Sequence, residues 1–80
     1  MASDNVNRLT HDDIVRAANS FSYSRQMPKW TVVVNRREFP ARPLVLEAAD
    51  VPPNDPTNSH EAVKKLKQLG FDTRYEGKSV

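Results

Sequence analysis

The residues of this 80-residue chain that are best suited to chemistry are basic, and they cluster late in the sequence. Five positive charges fall within fifteen residues, at Lys64, Lys65, Lys67, Arg74 and Lys78, and three polar side chains precede them, at Asn58, Ser59 and His60. Lysine and arginine neutralise phosphates, and polar groups at a helix N-terminus can reach bases or phosphates. The pattern favours nucleic-acid binding. Its alternative interpretation is a solvated helix face that lysine keeps soluble.

A second basic cluster lies in the middle of the chain, at Arg36, Arg37 and Arg42. Protruding arginines at a hairpin tip can enter a groove or grip a phosphate, although an ordinary polar turn would have the same composition. The candidate nucleic-acid-binding residues are therefore Asn58, Ser59, His60, Lys64, Lys67, Arg74, Arg36 and Arg37.

Catalytic and metal-binding patterns are missing from the sequence. His11 and His60 fall on different predicted helices, and the neighbouring carboxylates Asp12, Asp13 and Glu61 are explained as helix-start charges. Neither HExxH nor GxSxG occurs, and two glycines with no cysteine supply neither a phosphate-cradling loop nor a thiolate ligand. We expect no enzyme activity, no metal, no cofactor and no small-molecule substrate.

Length and charge place further bounds. Eighty residues allow one small domain, and a net charge of +2 with a pI near 9.2 permits an anionic partner without requiring one. No apolar run approaches the roughly 20 residues that span a bilayer, and the first residues are not signal-like. We therefore expect a soluble cytoplasmic protein without a membrane partner.

The segment from Pro56 to Tyr75 is predicted to be a capped helix that leads into a strand. Asn58 and Glu61 have the spacing of a capping box, and Gly70 can take the left-handed conformation that ends a helix. Between cap and stop, Ala62, Val63, Leu66 and Leu69 form one apolar stripe, and His60, Lys64, Lys67 and Gln68 form the opposite face. One face is expected to pack on a core and the other to remain open to a partner.

The remaining patterns predict an α+β fold of order α-β-β-α-α-β. The predicted elements are a helix from about 11 to 21 capped by Thr10, a strand over 29–34, a turn at Asn35-Arg36 before a strand at 37–39, a helix from Pro43 to Ala49, the basic helix, and a strand over 71–76. Three strands packed with three helices would form a single winged-helix-like domain over residues 9–76, between flexible tails at 1–8 and 77–80. An irregular connector over 21–28 joins the first helix to the first strand.

The main predicted role of the aromatic residues is to pack in the hydrophobic core. Trp30 begins the first strand, where a core anchor is the ordinary role of a tryptophan and ligand stacking is the alternative. Tyr75 carries a hydroxyl that can reach solvent or a phosphate.

A series of short sequence motifs over about residues 29 to 75 resembles a small bacterial domain. That domain is associated with HNH-type and modification-dependent restriction endonucleases, and it also occurs in short stand-alone proteins. These motifs are Val32 to Val34, Asn35, Phe39-Pro40, Leu44 to Ala49, Thr57-Asn58 and Leu69 to Phe71. The chain departs from the pattern at Arg36 and Asp50, where glycine is expected, and it has no nuclease motif. The resemblance implies an accessory, DNA-linked module.

These observations lead to two functional hypotheses. The first is a small DNA-binding accessory or regulatory protein of bacterial or phage origin, with duplex DNA as the partner and the basic helix as the reading element. The alternative is a protein-interaction module that binds and regulates a larger enzyme, without catalysis of its own.

Overall fold

The computed structural model describes residues 3–22 and 26–79. In chain order, the helices and strands of that part are α1 (Asp4–Asn7), α2 (His11–Ser20), β1 (Trp30–Val34), β2 (Arg37–Pro40), α3 (Ala41–Ala49), α4 (Ser59–Gln68), β3 (Asp72–Tyr75) and β4 (Lys78–Ser79). The predicted connector over 21–28 includes residues 23–25, which lie outside the described ranges. None of these helices combines the length and apolar character that a bilayer crossing requires.

The strands form one antiparallel sheet in the order β2-β1-β3-β4. Strand β1 is paired along both edges, with β2 on one side and β3 on the other, so the backbone groups of both edges are used within the sheet. The α+β class is confirmed. The expected three strands are corrected to four over the described residues, because Lys78–Ser79 pairs with β3.

The register divides the sheet into two unlike faces. Val32 and Val34 lie on the face that packs on α3 and α4, and they are almost completely buried. Arg74 lies on the other face, because it stands directly opposite Thr31, whose neighbours in β1 point to the helices. Residues on the two faces cannot contact one partner surface together unless that partner wraps the sheet edge.

The core lies between the helices and the inner face of the sheet. Its completely buried side chains come from every layer: Val6, Ile14, Val32, Leu44, Val45 and Leu66. The predicted apolar stripe of α4 is confirmed, with Ala62, Val63 and Leu66 buried and Leu69 packed at its margin. This packing fixes the rotation of α4 about its axis, and it leaves His60, Lys64 and Lys67 exposed.

Both ends of α4 form as predicted. Asn58 Oδ1 accepts the Glu61 N–H at 2.8 Å, which satisfies one of the free donors of the first turn. At the other end, the Phe71 N–H donates to Leu66 O and the Gly70 N–H donates to Lys67 O, each at 3.0 Å. With Gly70 at φ 91°, this is a Schellman ending, in which the glycine tolerates a backbone conformation that other residues resist.

The two positions where the resemblance expected glycine do have positive φ. Asn35 and Arg36, with φ of 52° and 68°, join β1 to β2, as in a type I′ turn. Asp50, with φ of 56°, ends α3 in the left-handed conformation. Helix α3 begins at Ala41 rather than at the predicted Pro43, since a proline in the first turn removes an N–H that has no helical partner.

Regular structure extends into the two segments expected to be flexible tails, as α1 at one end and β4 at the other. Val6, on α1, is completely buried, and α1 contacts both α3 and α4. Hydrogen bonds from Ser3 N to Thr57 Oγ1 and from Asn5 Nδ2 to Ala49 O anchor this segment. One apolar residue among polar neighbours carries no periodicity, so the sequence pattern could not show that the segment docks.

Candidate nucleic-acid interface

The exposed face of α4 carries three of the predicted residues in one row. His60, Lys64 and Lys67 are spaced i, i+4 and i+7, and each is exposed. Lys64 and Lys67 make no ion pair within residues 3–22 and 26–79. Their positive charge is therefore available to an anionic ligand.

The third lysine of α4, Lys65, behaves differently. Lys65 points to the opposite flank of the helix, where its Nζ donates to Asn7 O at 2.9 Å. Lys65 is only partly exposed, and its ammonium group fastens α1 to α4. The three lysines of this helix thus divide into one anchor and two free charges.

An aromatic cluster borders the row of α4. The ring of Trp30 lies 5.8 Å from the ring of His60, edge to face, and 4.6 Å from the ring of Tyr75. Trp30 and Tyr75 are paired across β1 and β3, so both side chains lie on the helix-facing side of the sheet. Both are half-buried. The core-anchor prediction for Trp30 is confirmed in that it packs on the core cluster.

The hairpin after α4 adds another positive charge beside the aromatic cluster. Lys78 stands directly opposite Tyr75, so it projects from the same face of the sheet. The turn between them, Glu76–Gly77, has positive φ at both residues. Glu76 contacts Lys29 twice. Its N–H donates to Lys29 O at 2.8 Å, and its carboxylate lies 3.8 Å from Lys29 Nζ. We call the set Trp30, His60, Lys64, Lys67, Tyr75 and Lys78 the α4–hairpin surface.

Two predicted residues lie at the N-terminus of α4, beside this surface. Asn58 is exposed, but its side-chain oxygen is used by the Glu61 N–H, so its amide NH₂ is the group that a ligand could meet. Ser59 is half-buried at the first helical position.

The other predicted residues lie elsewhere. Arg74 is on the opposite sheet face, where its buried Nε is 3.6 Å from Asp72 Oδ2, beyond hydrogen-bonding distance. Arg36 and Arg37 follow the last residue of β1, whereas Tyr75 pairs with the first, so the two hairpin tips point to opposite ends of the sheet. The guanidinium of Arg37 lies 5.5 Å from the centre of the Phe39 ring.

Arg42 does not belong to a basic cluster at all. Its guanidinium donates to three backbone carbonyl oxygens of the loop before α4, those of Thr57 at 2.7 Å, Pro53 at 2.9 Å and Asp55 at 3.0 Å. These bonds occupy the groups that a phosphate would need. Arg42 holds the proline-rich loop against α3.

Sequence reasoning did not include Lys78, Trp30 and Tyr75 among the site residues. The missed signal was Glu76-Gly77, since a residue followed by glycine after an alternating strand is a mark of a two-residue hairpin turn. A hairpin turn at Glu76-Gly77 predicts a strand after it, which is β4, and places Lys78 opposite Tyr75.

Comparisons of this chain with protein-family models, with curated proteins and with solved structures found no match. The geometry of the α4–hairpin surface therefore carries the functional argument alone.

Proposed function

We propose that this protein binds nucleic acid, with DNA as the expected partner, through the α4–hairpin surface. The observation that carries the proposal is the row of His60, Lys64 and Lys67, exposed on one face of α4 beside a hairpin that presents Lys78. Several lysines without acidic partners among residues 3–22 and 26–79 favour phosphate binding, because each one can release a condensed counterion when it meets the phosphate backbone.

The arrangement supports the expected winged-helix mode of action. Helix α4 would be the recognition element, and the β3–β4 hairpin that directly follows it would be the wing. The amide NH₂ of Asn58 and the hydroxyl of Ser59 would then stand where α4 first approaches a groove. The protein would act as an accessory or regulatory module without catalysis of its own.

Binding of a fluorescent duplex and a single strand, measured by anisotropy from 50 to about 300 mM salt, tests the proposal. Changing Lys64 and Lys67 to Ala together should weaken binding to all sequences and reduce the salt slope by about one unit per lost phosphate contact. The matched control is Arg36→Ala/Arg37→Ala, which removes the same charge at the opposite end of the sheet and should retain most of the affinity.

The reverse pattern, in which the Arg36→Ala/Arg37→Ala variant loses affinity and the lysine variant keeps it, would assign binding to the β1–β2 hairpin instead. Thermal melts of both variants separate a binding effect from unfolding.

A protein partner is the second candidate, and one observation favours it. Met27 is 44% exposed, and it lines an open groove of about 190 Å³ with Phe21, Arg37, Glu38, Phe39 and Pro40. A groove with an exposed apolar side chain on its wall can receive an apolar side chain of a partner protein. If the wild-type protein binds neither duplex nor single strand at low salt, this candidate replaces the first, and Met27→Ser becomes the variant to test against a captured partner.

A further inference from the structure

The α4–hairpin surface contains a row of three rings. Trp30 contacts both Tyr75 and His60, and its ring planes are tilted by 57° and 69° to theirs. His60 is exposed, and Trp30 and Tyr75 are each half-buried. The Tyr75 hydroxyl makes no hydrogen bond to any residue in the described ranges. These rings are therefore partly open to solvent.

Lysines that make no ion pair with any residue in the described ranges lie on two sides of this row. Lys64 and Lys67 continue along α4 from His60, and Lys78 stands across from Tyr75 on β4. Other ring contacts of the described chain differ in setting: Phe39 in the Phe21–Phe39 pair is buried, and the stacked His11–Phe71 pair joins the start of α2 to the end of α4. Arg37 also borders the Phe21–Phe39 pair, but Phe39 there is buried, whereas the rings at Trp30 are half-buried or exposed and lie beside lysines.

Rings beside lysines have a particular use in nucleic-acid recognition. Every base has a π-face, so a base that is not paired can stack on an aromatic side chain while lysines contact the phosphates next to it. A base inside a fully paired duplex is stacked on its neighbours, and its faces are not available to such a platform.

We infer that the α4–hairpin surface prefers nucleic acid with unpaired bases, such as a single strand or a strand end, over a fully paired duplex. In this arrangement a base stacks against Tyr75 at the edge of the row, and Lys78 and the α4 lysines hold the flanking phosphates. This inference rests on the proposed function, nucleic-acid binding at the α4–hairpin surface, and it replaces the reading of a duplex groove by α4 with the binding of unpaired bases.

The test compares an oligo(dT) strand, a mixed-sequence single strand and a blunt duplex of equal length at one salt concentration. Wild-type protein should bind the single strands at least about 10-fold more tightly than the duplex, because stacking of even one base contributes that much. Trp30 is the single tryptophan of the chain, so its fluorescence reports on the row directly. The single strands should quench it more than the duplex does at equal saturation.

Tyr75→Leu removes the ring at the edge and should lower single-strand affinity about 10-fold, so the ratio of single-strand to duplex affinity should fall. Tyr75→Phe keeps the ring and should retain binding. Phe21→Leu, at another half-buried aromatic residue, is the matched control for general destabilisation. Quenching of wild-type Trp30 needs no variant, so it decides the question even if Tyr75→Leu folds poorly.

Duplex affinity equal to or greater than single-strand affinity, with Trp30 fluorescence unchanged by the single strands, would overturn the inference. If Lys64→Ala/Lys67→Ala still lost duplex binding in that case, the proposed function would stand without it. Failure of both ligands to bind at low salt would reject both.

Discussion

Lys65 Nζ donates a hydrogen bond to the carbonyl oxygen of Asn7 at 2.9 Å, across 58 positions of the sequence. This contact joins the segment at the start of the chain to the helix that carries the candidate site. It also distinguishes Lys65 from Lys64 and Lys67, because one N–H of the Lys65 ammonium group is used within the fold and holds that side chain toward α1. A count of basic residues treats these three lysines as equal, and the fold does not.

Leu66→Ala should lower the free energy of unfolding by roughly 2–5 kcal/mol, because Leu66 is completely buried at the centre of the apolar stripe of α4. Denaturation in urea measures the change. Lys67→Ala, one position further along the same helix and exposed, is the control and should stay within about 0.5 kcal/mol. Equal stability of the two variants would mean that α4 is rotated differently in solution.

Val6→Ala tests whether α1 docks on the domain. Val6 is completely buried, and the change removes about two methylene equivalents and leaves a cavity, so we expect a loss of about 2 kcal/mol. Asp4→Ala, on the same turn but exposed, should have a much smaller effect. A Val6→Ala protein that melts like the wild type would show that this segment is loose, as its sequence suggested.

Arg42→Ala should destabilise the protein by roughly 1–3 kcal/mol, because the carbonyl oxygens of Pro53, Asp55 and Thr57 lose a charged donor. Limited proteolysis should also cut the loop over 51–57 faster in this variant, while α4 remains folded. Arg36→Ala is the control, since Arg36 is exposed at the β1–β2 turn. Equal proteolysis rates in the two variants would contradict the role assigned to Arg42.

Arg36→Gly should raise stability by about 1 kcal/mol, since Arg36 has φ of 68° and glycine adopts this conformation without the steric cost that a Cβ brings. Arg37→Gly, at the next residue, should act in the opposite direction because it places glycine in a strand. Thermal melts of the two variants give the signs. The same pair, measured for DNA binding, shows whether either arginine contributes.

Stability should fall as the solution becomes acidic, in part through Asp55. Hydrogen bonding from the side chain and the N–H of Thr57 lowers the pKa of Asp55 below its ordinary 3.8, against an opposing effect of burial. A carboxyl group whose pKa is lower in the folded state stabilises the fold above the unfolded pKa, and the stabilisation is lost as the pH falls through the folded pKa. Urea denaturation between about pH 6 and pH 2 should therefore show that the free energy of unfolding falls less for Asp55→Asn than for the wild type.

Asp13 provides a second case in the same pH range. The backbone N–H and the hydroxyl of Thr10 lower its pKa, and Arg16 adds to the effect. Asp13→Asn should also reduce the fall in unfolding free energy at low pH. The effects of the two substitutions should be additive, because the two sites share no partner. An unchanged pH dependence in the double variant would assign the acid loss to other groups.

Local structure was predictable from the sequence wherever its physical cause lies within one or two turns of the chain. The Asn58 cap, the Gly70 stop and the stripe around Leu66 fixed α4 to within a residue, because capping, left-handed backbone and apolar periodicity act within one or two turns. The same holds for Thr10 at the start of α2, where the hydroxyl accepts the Asp13 N–H. The exposed face with His60, Lys64 and Lys67 was predictable for the same reason.

Which of the candidate residues share a surface depends on the packing of distant segments and was not predictable from the sequence. Trp30 pairs with Tyr75, and this register puts Arg74 on the opposite face of the sheet and the β1–β2 turn at its opposite end. Strand register comes from contacts between segments that are distant in sequence. Docking of Val6, the use of Arg42 by a loop and the tether of Lys65 are likewise long-range contacts. No periodicity within a single segment encodes them, because each depends on where another segment lies.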